Sequence, residues 1–244
     1  MSFLRAEWKN LILINYEVKP EVLKKYVPFG TELDLHEGKC YLSLVGFLFL
    51  NTKVLGIKIP YHINFEEVNL RFYVKRLENN EWKRGVVFIK EIVPKKLISF
   101  VANTVYKENY QSLPMKHLFK ENKSNRFIQY QWKTKNKWNC ISVDCSIETS
   151  LIKENSDTEF ITEHYWGYAK INEHKTNEYE VTHPRWRKYD IQSSKIDVDF
   201  ELSYGKEFDF LNTSSYSSVM IAEGSEITVE GKTSIKKLLK TYPR

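Results

Sequence analysis

The sequence has little of what marks the more specialised protein classes. Only nine of its 244 residues are glycine and seven are proline, which excludes collagen-like and low-complexity chains. Cys40, Cys140 and Cys145 are an odd number of cysteines without a paired framework, so we expect small core residues in a reducing compartment. The apolar run at residues 40–50 is too short to cross a bilayer as a helix. The first residues show no signal-peptide pattern, and we expect a cytoplasmic protein without a membrane partner.

Common catalytic and binding motifs are also missing. There is no Walker loop, no G-x-G-x-x-G and no G-x-S-x-G, and the six histidines do not show metal-ligand spacing. We therefore expect neither a metal nor a cofactor. The net charge of +6 comes from lysines interspersed with acidic residues, whereas a nucleic-acid-binding protein more often shows a concentrated basic face. We expect no nucleic-acid partner.

Aromatic residues are abundant, and they indicate a mainly β protein. Tyr (15), Phe (14) and Trp (6) far outnumber Met (3), and aromatic side chains favour strands. No repeat or linker interrupts the chain, so we predict a single domain over residues 1–244. The main predicted strands cover residues 7–16, 39–50, 65–75, 84–93, 126–132, 137–147, 160–171, 178–183, 196–203, 219–223 and 226–230. We predict that residues 185–190 are irregular or helical.

The predicted strand at residues 65–75 alternates between two kinds of side chain. One face is apolar and predicts burial in a core. The other face carries Phe65, Glu67, Asn69, Arg71 and Tyr73. Polar residues bracketed by aromatic ones suit the lining of a polar pocket, and an ordinary solvated face is the alternative.

Residues 91–106 show the clearest helical periodicity, and Pro94 suits the first helical position. Lys95 and Lys96 follow it directly. The positive end of the helix dipole and the mutual repulsion of two ammonium groups both disfavour the charged form of a lysine. A neutral lysine is a nucleophile towards carbonyl compounds. Two solvated surface lysines are the simpler alternative.

Three further polar residues lie among aromatic ones. His183 precedes Pro184 and Trp186 at the end of a predicted strand, where it could bond a turn or face a pocket. Glu163 and His164 lie in Phe-Ile-Thr-Glu-His-Tyr-Trp. They could line a pocket or end a strand, and the sequence leaves both possibilities open.

Several of these segments resemble a known family. Residues 91–97, Glu-Ile-Val-Pro-Lys-Lys-Leu, resemble the Gly-Tyr-Pro-Lys-Lys-Leu stretch of acetoacetate decarboxylases, and residues 61–67 resemble the strand that carries their catalytic glutamate. Other blocks resemble the YqjF-like family of the acetoacetate decarboxylase-like superfamily: residues 65–74, 84–94, 160–165 and 181–186. The resemblance implies a mainly β fold with a few helices, a largely antiparallel, closed or partly closed β-barrel around a central cavity, and frequent homo-oligomers.

The resemblance also implies a site. Lys95 would form a Schiff base, Lys96 would lower its pKa, and Glu67 would be the acid, with Glu66 as its neighbour. The small carboxylate or keto compound would then contact further residues, which we expect to be Arg71, Tyr73, Glu163 and His183. Ile92-Val93 replaces the decarboxylase Gly-Tyr, and relatives often carry other residues at the lysine positions. A lyase of the decarboxylase or aldolase-dehydratase type and a non-catalytic ligand-binding barrel therefore both remain open.

Overall fold

The computed structural model describes residues 2–236. Its fourteen strands are β1 Leu4–Glu17, β2 Glu32–Leu33, β3 Tyr41–Val54, β4 Phe65–Glu78, β5 Glu81–Val93, β6 Tyr110–Ser112, β7 Met115–Glu121, β8 Asn125–Thr134, β9 Lys137–Leu151, β10 Trp166–Asn172, β11 Lys175–Thr182, β12 Arg187–Asp197, β13 Ser218–Val229 and β14 Thr233–Lys236. Its helices are α1 Pro20–Leu23, α2 Lys96–Val105, α3 Asp157–Thr162 and α4 Phe200–Tyr204, with 3₁₀ segments at Lys24–Tyr26 and Lys206–Asn212. The chain is thus mainly β with a few short helices, as predicted.

All these strands belong to one sheet, and part of the sheet returns on itself. Twelve strands follow the order β14-β11-β10-β5-β4-β3-β1-β13-β12-β9-β8-β7, and β2 and β6 pair with β4 and β5. A further pairing joins β11 to β13, at Val181 with Val229 and Thr182 with Thr228. The pairings therefore run through β11, β10, β5, β4, β3, β1 and β13 and back to β11. Strands β12, β9, β8 and β7 extend from β13 as a second layer, whereas β14 pairs with β11.

Two apolar clusters lie on opposite faces of the returning strands. Ile12 and Ile14 of β1 and Leu70 of β4 join side chains of β8 and β9 in the larger cluster. Leu11 and Leu13, on the other face of β1, belong to the second cluster. Because alternate residues of a strand face opposite sides, each returning strand covers the outer layer with one face and the enclosed space with the other.

A two-residue hairpin loop joins β4 to β5. Glu78 pairs with Glu81, and the two connecting residues, Asn79 and Asn80, have φ values of 51° and 64°. Asparagine tolerates this left-handed region better than most residues, which makes it suitable for a two-residue hairpin loop. The hairpin holds β4 and β5 in register along most of their length.

The two strands predicted at residues 219–223 and 226–230 are one continuous strand, β13, over Ser218–Val229. Gly224 has φ +78°, and a Cβ there would lie 2.0 Å from the carbonyl oxygen of Trp8. The register of β1 with β13 continues unchanged through this point, since Lys9 pairs with Gly224 and Leu11 with Ala222. The register shift at this place lies on the other side of β1, between Lys9 and Ile12 in the pairing with β3. The glycine therefore lets β13 approach the β1 backbone closely without interrupting the pairing, and the prediction of two separate strands at residues 219–223 and 226–230 was wrong.

Two predicted strands are wrong at one end because capping residues start helices there. The Ser156 hydroxyl accepts a hydrogen bond from the Glu159 N–H, so residues 157–162 form α3 instead of opening the strand predicted at 160. The Asp199 carboxylate accepts one from the Leu202 N–H, so the strand predicted to reach residue 203 ends at Asp197. Side-chain capping stabilises a helix start by about 1 kcal/mol. For segments of five or six residues this is enough to favour helix over strand.

Two other predictions need correction. Residues 187–190, predicted as irregular or helical, belong to β12, which pairs with β9 and β13. The helix predicted to begin at Pro94 begins at Lys96, with Lys95 as an extended N-cap residue. The apolar pattern of residues 97–105 predicts the helix correctly, but Glu91 belongs to the end of β5.

The three cysteines are free and buried, in agreement with their prediction as core residues. Within residues 2–236 no helix is long and apolar enough to cross a membrane.

Candidate functional site

A cavity of about 150 Å³ lies inside the returning strands, under α2. Most of its wall is aromatic or aliphatic. The aromatic part is formed by Trp8, Phe47, Phe49, Phe65, Phe88, Trp166 and Trp186, and Leu97, Ile98, Val101 and Ala102 of α2 cover it. Cavities with such walls and a few polar groups are typical small-molecule sites.

Strand β4 contributes the first row of polar side chains. Glu67, Asn69 and Arg71 line the cavity together with Phe65, and the three polar residues are at most 7% exposed. The alternation of β4 places them on the inner face, while Val68 and Leu70 join the outer cluster. Four of the five residues predicted to share this face therefore line the cavity, and Tyr73 does not.

Glu67 is a buried carboxyl group held by two hydrogen bonds. The Asn69 amide donates to its Oε1 at 2.9 Å, and the Tyr110 hydroxyl donates to its Oε2 at 3.2 Å. Burial raises the pKa of Glu67 to about 7, against the effect of these two donors and of the Arg71 charge. A carboxyl group with a pKa near neutrality can both give and take a proton at pH 7.

Two further carboxyl groups line the same cavity. Burial and the charges of Glu67 and Glu108 raise the pKa of Glu91 well above its ordinary value. Burial also raises the pKa of Glu108 to about 7, although its Oε1 accepts a hydrogen bond from the Tyr179 hydroxyl at 2.7 Å. Because the three acids repel one another when ionised, they share protons at neutral pH.

Arg71 is the cation at the centre of this acidic group. It is 7% exposed, and its Nε has no hydrogen-bond partner in the described chain. Its charge affects the pKa of four lining residues: it lowers those of Glu67 and Glu91 and also those of His164 and His183. A buried guanidinium with a free N–H is a ready partner for an anionic ligand.

His164 also lines the cavity, and its other side is anchored. Its Nε2 lies 3.1 Å from Oδ2 of Asp34, and that same oxygen accepts a hydrogen bond from Arg84 Nε at 2.7 Å. The His164 ring packs 4.7 Å from the ring of Tyr73 and 5.0 Å from that of Phe160. The ring is thus fixed by packing and by a buried carboxylate.

Most of the unpartnered polar atoms in the protein interior belong to this cavity. Seven buried side-chain atoms in the described residues have no hydrogen-bond partner. Five of them are on lining residues: Trp8 Nε1, Asn69 Oδ1, Arg71 Nε, Glu91 Oε2 and His164 Nδ1. Leaving a buried polar group unpaired costs about 1–3 kcal/mol, so this concentration marks a place where a polar partner is expected.

The two lysines are not part of the cavity lining. Lys95 is half-buried and Lys96 is exposed, whereas Leu97 and Ile98, the next residues of α2, line the cavity. Glu66 lies outside the lining too, where His117 Nδ1 is 2.6 Å from its Oε1. Burial raises the pKa of Glu66, but His117 and the charge of Lys95 outweigh it. The structure therefore associates Lys95 with Glu66 and not with Glu67.

Of the other predicted ligand contacts, His183 lines the cavity, and Tyr73 and Glu163 do not. His183 is half-buried in the lining and stacks on Trp186 with ring centroids 4.1 Å apart. Tyr73 lies behind the lining, where its hydroxyl donates to Ser43 Oγ at 2.8 Å. Glu163 lies outside it and accepts a hydrogen bond from the Tyr165 hydroxyl at 2.5 Å.

Sequence reasoning missed Glu91, Glu108, Tyr110 and Tyr179 as site residues. Glu91 could have been recognised as a single acid in the apolar end of β5. It was assigned instead to the helical pattern of the residues that follow. Glu108 and Tyr110 come after α2, where the Asn103 side chain bonds both backbone groups of Tyr110. This clasp and the parallel pairing of β6 with β5 bring them to the cavity, and no local sequence pattern indicates either contact.

Within the described residues, no group of three or more histidine, cysteine, aspartate or glutamate side chains has the geometry to hold a metal ion.

Comparison with known sequences identifies a family. The model of the family DUF2071, described as "Uncharacterized conserved protein", matches residues 5–226. The "Uncharacterized protein YqjF" of Bacillus subtilis (strain 168) is 28% identical over 134 residues. That match covers 54% of this chain and 52% of YqjF, so the chain spans about half the length of this relative.

Solved structures with the same fold are distant in sequence. An acetoacetate decarboxylase-like enzyme from Sphingomonas wittichii RW1 superposes with a TM-score of 0.66 at 8% identity, over 98% of this chain and 95% of that one. Acetoacetate decarboxylase from Legionella pneumophila gives 0.62 at 10% identity, over 95% and 86%. The enduracididine biosynthesis enzyme MppR, complexed with pyruvate, gives 0.63 at 9% identity, over 96% and 91%. These likenesses concern the fold, and with the family match they lead to one conclusion: the chain belongs to the YqjF-like family DUF2071 and has the acetoacetate decarboxylase-like fold.

Proposed function

We propose that the chain binds a small carboxylate or keto compound in the cavity and exchanges a proton with it through Glu67. The observation that carries this proposal is the convergence of five unpartnered buried polar atoms on one cavity. Arg71 would bind the carboxylate of the ligand, and the aromatic wall would enclose its carbon skeleton. MppR, which shares the fold, binds pyruvate.

Glu67 is suited to proton transfer because its pKa of about 7 matches the operating pH. Glu91, which has the unpartnered Oε2, is a second acid in reach of the same space. In this proposal the pairing of β11 with β13 closes a barrel around the ligand. A homo-oligomer remains part of the proposal, to be measured by light scattering.

Binding is tested by calorimetry and thermal unfolding with acetate, pyruvate and acetoacetate. We expect each ligand that binds to raise the melting temperature, and Arg71→Met to weaken binding at least about tenfold, because a charge-assisted hydrogen bond is worth about 1.5–3 kcal/mol. Lys75→Met is the matched control, since it removes a cation from β4 outside the lining. No binding of any of the three at 10 mM, or equal binding by Arg71→Met, would contradict the proposal.

Catalysis is separated from binding by following deuterium incorporation into the pyruvate methyl group by NMR. Exchange in the wild type that is lost in Glu67→Gln, with binding retained, would identify Glu67 as the proton-transferring group. Binding without exchange would identify a non-catalytic ligand-binding protein, which is the alternative drawn from the sequence.

A Schiff base at Lys95 is the second candidate. One observation favours it: Lys95 directly precedes the turn of α2 that covers the cavity. The amine would reach the ligand only if this turn rotated inwards. Borohydride reduction in the presence of acetoacetate, acetopyruvate or pyruvate, followed by peptide mass analysis, tests it, with Lys96 as the internal control. If no adduct forms at Lys95, the Schiff-base candidate is rejected and proton transfer by carboxyl groups is the one proposed reaction left.

A further inference from the structure

The contacts of His164 determine which of its two ring nitrogens carries the hydrogen. Asp34 accepts two hydrogen bonds on Oδ2, from Arg84 and from His164. Burial raises the pKa of Asp34, but these two donors outweigh it and the pKa ends below its ordinary value. Asp34 is therefore an ionised carboxylate at neutral pH, and such a group can only accept hydrogen bonds. The hydrogen between the two residues must belong to Nε2 of His164.

The opposite ring nitrogen then has no hydrogen. Burial lowers the pKa of His164 to about 4, although Asp34 opposes this effect, so the ring is neutral at pH 7. A neutral imidazole with hydrogen on Nε2 has a bare lone pair on Nδ1. That atom is buried and has no partner in the described chain, and the His164 residue lines the cavity.

Arg71 and His164 act on the same part of the cavity. The Arg71 guanidinium carbon is 5.8 Å from the centre of the Tyr73 ring. The centre of the His164 ring is 4.7 Å from the centre of the same Tyr73 ring. The Arg71 charge contributes to the lowered pKa of His164. The cavity thus presents a cationic donor and a neutral acceptor that both lie near the Tyr73 ring, and a ligand that satisfies both needs an anionic group and a hydrogen-bond donor a short distance apart.

We propose that His164 is a ligand-contacting residue whose Nδ1 accepts a hydrogen bond from a hydroxyl group next to the ligand carboxylate, so that the cavity prefers a 2-hydroxy carboxylate to the corresponding 2-keto carboxylate. This inference rests on the proposed function, because it assumes that Arg71 binds the carboxylate. A keto oxygen in the same place can only accept hydrogen bonds, as Nδ1 does. Its lone pair would repel that of Nδ1, which would stay without a donor. Sites built to bond a hydroxyl group reject the analogue that lacks it.

The test compares L-lactate, D-lactate and pyruvate by calorimetry at pH 7. We expect one lactate enantiomer to bind at least about tenfold more tightly than pyruvate, because an unsatisfied buried acceptor costs about 1–3 kcal/mol. His164→Phe keeps the ring packing and removes the acceptor, so it should abolish the preference. His36→Phe is the matched control, since His36 packs against the same Phe160 with ring centroids 4.9 Å apart and does not line the cavity.

Nitrogen NMR of the histidines decides the tautomer without any ligand. We expect hydrogen on Nε2 and none on Nδ1 of His164 at pH 7, and a hydrogen on Nδ1 would overturn the inference. Equal or tighter binding of pyruvate by the wild type would overturn it too, while the proposed function would stand. If no carboxylate binds, the proposed function fails and the ligand class assigned here fails with it.

Discussion

Glu67 is the residue on which most of the proposed chemistry depends, and its burial has a measurable effect on stability. Its pKa rises from 4.5 to about 7 in the folded protein. A raised carboxyl pKa contributes stability that is fully present below the unfolded value and is lost as the pH rises through the folded one. Such a shift corresponds to about 3 kcal/mol.

We therefore predict that Glu67→Gln flattens the pH dependence of the free energy of unfolding. Between pH 4.5 and 8 the variant should gain up to about 3 kcal/mol relative to the wild type, since the amide has no proton to lose. Urea unfolding across this range measures the difference. The exposed Glu226→Gln is the control, and parallel curves for Glu67→Gln and wild type would show that Glu67 does not carry the shifted proton.

At the scale of single residues, local pattern predicts one part of the site and fails on another. The inner face of β4 follows from period-two alternation, so Glu67 and Arg71 could be found from the sequence. Lys95 and Lys96 could not be placed, because the direction of a side chain at a helix start depends on where the helix begins. A start two residues later than expected keeps both lysines out of the lining.

Helix α2 covers the cavity and is held by a clasp at its C-terminal end. The Asn103 amide donates to the Tyr110 carbonyl at 2.9 Å, and its Oδ1 accepts from the Tyr110 N–H at 2.7 Å. Phe100, on the outer side of α2, is 67% exposed, and even Leu97 in the cavity lining is 42% exposed, so little else covers the helix. An element with few packed contacts opens locally at low free-energy cost.

We predict that Asn103→Ala increases hydrogen exchange in α2 and β6 selectively. Both bonds to Tyr110 are lost, which should cost about 1–3 kcal/mol of local stability. Hydrogen exchange with mass spectrometry measures it, peptide by peptide. Thr104→Ala, at an exposed neighbouring position, should leave the exchange unchanged, and equal effects of both variants would show that the clasp does not hold the helix.

The pairing of β10 with β11 requires a glycine at residue 167. Gly167 lies opposite Tyr179, and a Cβ on it would be 2.1 Å from Tyr179 Cζ. The Tyr179 ring, whose hydroxyl donates to Glu108, fills the space that a side chain at residue 167 would occupy. We predict that Gly167→Ala destabilises the fold by about 1–3 kcal/mol, as overpacking does, and displaces Tyr179.

Chemical denaturation measures this loss, and Gly231→Ala is its control. A Cβ at Gly231 meets nothing within 4 Å, so its effect should stay within about 0.5 kcal/mol. A fully stable Gly167→Ala would mean that Tyr179 has room to move without leaving the core.

Prediction of the elements was most reliable for the long strands. Their apolar residues either alternate, as in β4, or follow one another, as in β3, over about ten residues, and tertiary contacts reinforce both patterns. Helices α3 and α4 were missed because one capping residue each, Ser156 and Asp199, outweighs the strand propensity of the aromatic residues that follow. Strand β7 was not predicted because pairing with β8, rather than its own pattern, makes it a strand.

Over the whole molecule, the buried cysteines report on global unfolding. Cys40 and Cys145 belong to the larger apolar cluster, and burial raises the pKa of each thiol to about 11. We predict that a thiol reagent labels these two residues together, at a rate limited by global unfolding. Mass spectrometry of labelling against urea concentration measures this, and unfolded protein gives the reference rate. Fast labelling of one of them would reveal local opening of that cluster.

The course of the chain through the ring limits when the cavity can exist. Strand β1 lies between β3 and β13, and Leu4 at its start pairs with Val229. During synthesis the first strand therefore waits for a partner that is made more than 200 residues later. Until then its edge and the aromatic wall are exposed, which invites association with other chains. A ribosome-bound chain that stops before β13 would lack the strand that joins β1 to β11, and it would therefore be a candidate substrate for a chaperone.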